Sequence, residues 1–289
     1  QQGFFMLPHL LLLLLFVLTI AHLVTLKICS VRLDHRTAPV FVSVWVLAGL
    51  AATALVFADL WRDGFVFLQQ HPLMLALAVG KGVLLYVLLV VSQQLMQISL
   101  SSRHYVTPLA VGILSVTNAL LGEQLAPGQW ASALGLCALA AAFFFKGHLS
   151  DLNRTSRIHY ALLVGLSVLL GSLDHALLSR GMNWCTLLGV SHVVLLLLSV
   201  ILLRGQMAVW KSALFAAPAI LAGLTYAATE LVKFYQQVSI NPVTAVVTVQ
   251  ASTKPFIMLL AAWVWKERTA REQLVWGVMA LLVMLPLFF

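Results

Sequence analysis

The chain is predicted to be an all-α integral membrane protein, with about ten transmembrane helices in two inverted five-helix repeats. Three observations predict this. Of 289 residues 62% are hydrophobic and only 9% charged, and the mean hydropathy is +1.00, far from the soluble range. Apolar runs of the roughly 17–25 residues that a ~30 Å hydrocarbon layer asks of a helix recur along the whole length. The longest polar connection, 146–157, leaves five runs on each side. An odd number of crossings sets two such halves, 1–150 and 151–289, oppositely in the membrane.

The ten runs are 4–26, 39–58, 72–98, 105–121, 130–145, 158–178, 184–203, 213–238, 242–265 and 273–289. The first has no basic leader and no small-residue cleavage site after it, so a spanning helix is expected there and not a cleaved signal. Short connections leave no room for a soluble domain. Trp61, Trp130, Trp184, Trp210, Trp263 and Trp265 fall near run ends, at the level where an indole meets the headgroups. In each half the third run ends in paired glutamines, Gln93-Gln94 and Gln236-Gln237. The fourth holds a proline, Pro108 or Pro255, and Glu123 or Glu267 then opens the turn to the fifth.

The net charge of +8 comes without a recognition helix or a basic patch interleaved with aromatics, so nucleic acid is not an expected partner. The basic residues sit in alternate loops. One set holds Lys27, Arg32, Arg36, Arg103, Lys146, Arg154, Arg157, Arg204, Lys211, Lys266, Arg268 and Arg271; the opposite set holds Arg62 and Arg180. The positive-inside rule then puts both termini on the outer side. The sequon Asn153-Arg154-Thr155 faces the cytoplasm on that orientation. Cys29, Cys137 and Cys185 have neither CxxC spacing nor an even count, and they read as small packing residues.

The ninth run is the most unusual. It carries Thr244, Thr248 and Ser252 at four-residue steps and then Lys254-Pro255. An ammonium at that depth costs several kcal/mol without a counter-charge or water. Proline also removes a helical hydrogen bond, which suits a polar kink in a cavity wall.

The turn units around the fourth and fifth and the ninth and tenth runs are Leu120-Leu121-Gly122-Glu123-Gln124-Leu125 with Trp130 and Gly135, and Trp265-Lys266-Glu267-Arg268-Thr269 with Gln273 and Gly277. On these and on the hydropathy pattern the chain resembles the drug/metabolite transporter superfamily, in particular its ten-helix EamA-like members and, more distantly, nucleotide-sugar transporters. The resemblance implies a bundle with a pseudo-two-fold axis in the membrane plane. Helices one, three, four, six, eight and nine would surround a central cavity, with five and ten behind. It also implies a bacterial inner membrane, with an endomembrane such as the Golgi as the alternative, and cytoplasmic termini, opposite to the loop charges.

Candidate substrate-binding residues are the ionisable and polar groups inside the runs. Glu230 leads, with Tyr226 one turn before it on the same face. A carboxyl in a low dielectric is suited to proton exchange or to a substrate ammonium, and the structural alternative is an ion pair with Lys233 or Lys254. Lys254 suits a carboxylate ligand or Glu230. Lys81, between Gly80 and Gly82 and a turn before Tyr86, binds substrate or snorkels to the interface. Asp174-His175 is a proton-handling pair or an end-of-helix polar cluster, and neighbours on a helix point ~100° apart. Gln93 and Asn118 line the path or join helices. Glu123 and Glu267 are expected to cap or orient the next helix.

No GxxxxGK[ST], GxSxG or HExxH motif is present, so no cofactor or metal is expected and any driving force is a gradient. The expected function is a secondary transporter of a small polar or zwitterionic metabolite working by alternating access, with proton coupling through Glu230. The alternatives are a flippase of a lipid-linked or amphipathic substrate and, behind it, a membrane-embedded enzyme using His175, Asp174 or Cys185.

Overall fold

The computed structural model describes residues 2–55, 58–98, 100–147, 154–239, 243–266 and 270–287; Asn153, Glu267 and Arg268 lie outside them. Among the described residues the chain is helical throughout, without strands. The helices are α1 Gln2–Arg32, α2 Thr37–Ala54, α3 Ala58–Gln70, α4 Pro72–Ile98, α5 Leu100–Leu120, α6 Pro127–Gly147, α7 Arg154–Leu178, α8 Trp184–Leu202, α9 Met207–Phe215, α10 Ala217–Ser239, α11 Val243–Ser252, α12 Lys254–Val264 and α13 Ala270–Met284, with a 3-10 turn at Leu285–Leu287.

Among the described residues six stretches are long and apolar enough to cross a bilayer: Leu10–Arg32, Thr37–Ala54, Pro72–Gln97, Arg157–Leu178, Trp184–Leu202 and Val246–Val264. Met207–Phe215 with Ala217–Gln237, bent by 64°, makes a seventh if taken as one span. Leu13, Val17, Val83, Leu197 and Ile201 are exposed on these helices. An outward apolar surface of this kind belongs against lipid tails. The protein is an all-helical membrane protein.

Three elements depart from the run pattern. The first helix continues past residue 26 to Arg32, and Lys27, expected in a loop, is buried and donates from Nζ to the Met96 carbonyl at 2.9 Å. In the turn that follows, the Arg36 guanidinium beside Asp34 holds its carboxyl down at about 2. The supposed loop before the third run contains α3, an amphipathic helix whose Asp59, Arg62 and Asp63 are exposed while Gly64 and Leu68 are buried. Those charges hide the helix from a search for long apolar runs. The eighth run is α9 and α10, broken at Ala216 because Pro218, in the first turn of α10, has no N–H to continue the ladder.

The helices pack in matched pairs. α1 lies on α10 and α7 on α4; α2 lies on α10 and α8 on α4. α3 rests on α8, and α9 on α2; α5 packs on α6, and α12 on α13. Two glycines permit close crossings between these long helices. A Cβ on Gly82 of α4 would lie 2.7 Å from the Ser191 carbonyl oxygen of α8. One on Gly223 of α10 would lie 2.2 Å from the Trp45 ring of α2 and 3.0 Å from the Phe41 carbonyl oxygen. Buried leucines of α1 and α4, with Leu170 of α7 and Ala219 and Ala222 of α10, form the central core that carries the site.

Candidate functional site

The site begins at a break in the ninth run. α11 ends at Ser252, Thr253 turns, and α12 restarts at Lys254 with Pro255 in its first turn. Hydroxyls take up carbonyls near the interruption: Ser252 Oγ donates to Val249 O at 2.6 Å and Thr253 Oγ1 to Gln250 O at 2.7 Å. Thr248 Oγ1 likewise donates to Thr244 O at 2.7 Å. Most of the hydroxyl series therefore serves its own backbone, as Ser and Thr in apolar helices tend to. The break leaves Gln250, Ala251 and Lys254 lining a cavity.

That cavity has a volume of about 240 Å³ and is walled by α1, α4, α7, α8, α10, α11 and α12. Lys81 of α4 and Asp174 of α7 form a buried ion pair across it. On α10, Lys233 Nζ lies 2.6 Å from Glu230 Oε2, one turn away. Both ammonium groups also sit over the Phe234 ring, Lys81 at 4.6 Å and Lys233 at 4.5 Å, so the two pairs share an aromatic platform. Below them Tyr226 stands beside two histidine rings, His22 at 5.0 Å and His192 at 6.3 Å between centroids. His192 Nδ1 lies 2.9 Å from the Leu188 carbonyl, a contact that needs the proton on Nδ1 and leaves the lone pair on Nε2.

Of the residues expected to bind substrate, Lys81, Asp174, Tyr226, Glu230 and Lys254 line this cavity. Lys81 is buried and paired, and does not snorkel. Tyr86, Gln93, Asn118 and His175 are not among its lining residues. Tyr86 packs at the edge of the central core, and Gln93 is buried without a hydrogen-bond partner among the described residues. Asn118 Nδ2 reaches Thr244 Oγ1 at 3.3 Å. His175 points away from Asp174, as helical neighbours must, and its Nδ1 comes within 3.9 Å of Glu123 Oε1.

Glu123 caps a helix, but not the next one. Gly122, at φ 98°, ends α5 with Glu123 N bonded to Asn118 O at 2.9 Å and Gly122 N to Ala119 O at 3.0 Å, the Schellman pattern. The carboxylate is thereby turned toward α11, where it accepts from the Thr244 amide at 3.1 Å and from the Thr244 hydroxyl. α11, not α6, gains the N-terminal acceptor.

His192 went unnoticed among the sequence candidates, as did Thr229 and Ser167, which also line the cavity. The signal for His192 was the one that marked Lys81, an ionisable ring inside an apolar run. Among the described residues no group of three or more His, Cys, Asp or Glu side chains is placed to hold a metal ion.

Fold and site together define a class: a polytopic helical membrane protein with paired charges around a small cavity between its helices. No protein-family model matches the chain, and no curated protein is significantly similar to it.

Proposed function

We propose that the protein is a secondary transporter which moves a small charged metabolite by alternating access, organised as drug/metabolite transporters are. The observation that carries this is the meeting of Lys81, Asp174, Glu230, Lys233 and Lys254, from four separate helices, at one cavity in an otherwise apolar chain. Ionisable groups inside membrane helices are expensive and mark substrate or ion pathways. The helical ladder is interrupted at the same cavity, at the Thr253 turn between α11 and α12.

The packing supports ten spans in two inverted halves, 1–150 and 151–289. Exchange α1 with α7, α2 with α8, α3 with α9, α4 with α10, α5 with α11–α12 and α6 with α13. Each matched pair is then carried onto its partner: α1 on α10 becomes α7 on α4, and α3 on α8 becomes α9 on α2. The Gly82 crossing becomes the Gly223 crossing. Two halves so related rock about the site between them. The loop charges keep their bias after Lys27 is removed from the count, which favours outer termini in a bacterial inner or Golgi-type membrane.

The leucine-lined portion of the cavity favours a flippase of an amphipathic molecule as the second reading. A volume of about 240 Å³ suits a small metabolite better than a lipid-linked one.

The test is uptake by proteoliposomes loaded against a metabolite mixture, with retained compounds identified by mass spectrometry. At least one compound should accumulate above empty liposomes, and Glu230→Gln should cut that accumulation by about tenfold or more. No enrichment under any imposed gradient would defeat the proposal. Uptake indifferent to a pH gradient and to Glu230→Gln would remove proton coupling alone.

A further inference from the structure

His192 brings an unmatched acceptor to the cavity. The residue is 1% exposed, and its Nδ1 lies 2.9 Å from the Leu188 carbonyl of its own helix. A carbonyl can only accept, so this contact fixes a proton on Nδ1 and leaves the neutral ring a lone pair on Nε2, the nitrogen farther from the backbone. Nε2 has no hydrogen-bond partner among the described residues. Lys81, Lys233, Tyr226 and Gln250 bring donors to the same cavity, and none of them meets it. A buried acceptor left without a donor is costly, and at a cavity wall the missing donor comes from whatever occupies the cavity.

The wall hydroxyls ask for the same chemistry. Thr19 Oγ1 donates to Leu15 O at 2.7 Å, Ser167 Oγ to Leu163 O at 2.6 Å and Thr229 Oγ1 to Thr225 O at 2.7 Å. A hydroxyl has one proton, so each of these, with that proton on its own helix, has only lone pairs left for a ligand. α1, α7, α8 and α10 thus each contribute a lining residue that can accept and not donate. The wall formed by α4 is different. Leu85, Leu88 and Leu89 follow Gly82 at the same steps at which Tyr226, Thr229 and Glu230 follow Gly223 on α10. Under the proposed exchange of α4 with α10 the two stripes are counterparts, alike in position and opposite in chemistry. A ligand in this cavity meets leucine on one side and acceptors on the other.

We propose that the cavity binds a small two-faced organic molecule whose polar edge is a hydrogen-bond donor, a hydroxyl or an N–H directed at His192 Nε2, and whose apolar edge lies along Leu85, Leu88 and Leu89. His192 is then the residue that separates such donors from their alkylated analogues, because a group without a proton leaves Nε2 unmatched. The physiological meaning of the site rests on the transporter reading; binding itself does not.

Calorimetry on the purified full chain in detergent, with heats taken against a detergent blank, tests this with two pairs of probes on one phenylpropyl body. Hydrocinnamyl alcohol is set against its methyl ether, and hydrocinnamylamine against its trimethylammonium analogue, which keeps the charge and loses the N–H groups. In at least one pair the donor should bind about tenfold tighter than its methylated partner. The pair that does so tells hydroxyl from amine. Methylation also adds bulk, so the preference must depend on His192: His192→Leu and His192→Phe, both without an acceptor, should bring it within about threefold, and either variant suffices if the other does not fold. The proposal is overturned if donor and methylated partner bind alike in both pairs, which would mean that water alone serves Nε2, if the preference survives loss of the imidazole, or if no probe gives heat at about 10 mM. Donor probes that bind with this preference but are not accumulated by proteoliposomes sustain the donor site and defeat transport. Accumulation of a methylated probe as readily as its donor partner does the reverse.

Discussion

Lys81 and Asp174 are each nearly buried and neutralise one another between α4 and α7. Asp174→Asn leaves the ammonium without its charge partner, and losses of this kind run to about 3–5 kcal/mol. A combined Lys81→Met, Asp174→Leu replacement removes both charges at similar volume and should recover most of that loss. Chemical denaturation in detergent would show the single variant well below wild type and the double near it, while substrate uptake stays absent in both. A single variant as stable as wild type would show that the pair does not hold the helices. The positions of these ionisable groups were legible in the sequence, because a charge inside an apolar run is conspicuous. Their partners were not. Helical spacing relates Glu230 to Lys233, one turn away, but says nothing of which distant helix comes to face Lys81. Nor does it separate a polar residue that joins helices, as Asn118 joins Thr244, from one that faces a cavity.

At the level of elements, two crossings depend on absent side chains. Gly82→Ala drives a methyl into the Ser191 carbonyl oxygen, and Gly223→Ala drives one into Trp45 and the Phe41 carbonyl. Backbone cannot give way as a flexible side chain can, so each should cost about 1–3 kcal/mol. Gly80→Ala and Gly165→Ala meet nothing within 4 Å and gain helix propensity, so they should be neutral or slightly stabilising. Thermal midpoints of the four variants check the contrast; equal midpoints would mean the helices are not so closely apposed. The long apolar helices were readable from run length. α3 was not, because its exposed Asp59, Arg62 and Asp63 lower its hydropathy while its helical face, Gly64 and Leu68, is short. The proline at 255 did announce a defect in the ninth run. That the defect would be confined to the single turn residue Thr253 depended on Ser252 and Thr253 satisfying carbonyls before it.

For the whole molecule, the turn after α5 reaches two helices distant in sequence, α7 and α11. Glu123 supplies the acceptor at the start of α11 through the Thr244 amide and hydroxyl, Asn118 supports the same hydroxyl, and His175 of α7 stands beside the carboxylate. The cluster thus ties α5 and its turn to α7 and α11, and on the proposed division of the chain it joins the two halves. The proposed rocking of one half against the other must break it. Glu123→Ala removes an N-cap, worth about 0.5–2 kcal/mol, and leaves the Thr244 amide unpaired. Hydrogen exchange in the peptide covering 243–252 should then quicken by roughly tenfold through local opening, while the α2–α8 interface keeps its protection. Glu123→Gln retains an acceptor oxygen for the amide and should quicken exchange less. If the 243–252 peptide exchanges as in wild type in both variants, the contact does not hold α11 to the turn after α5.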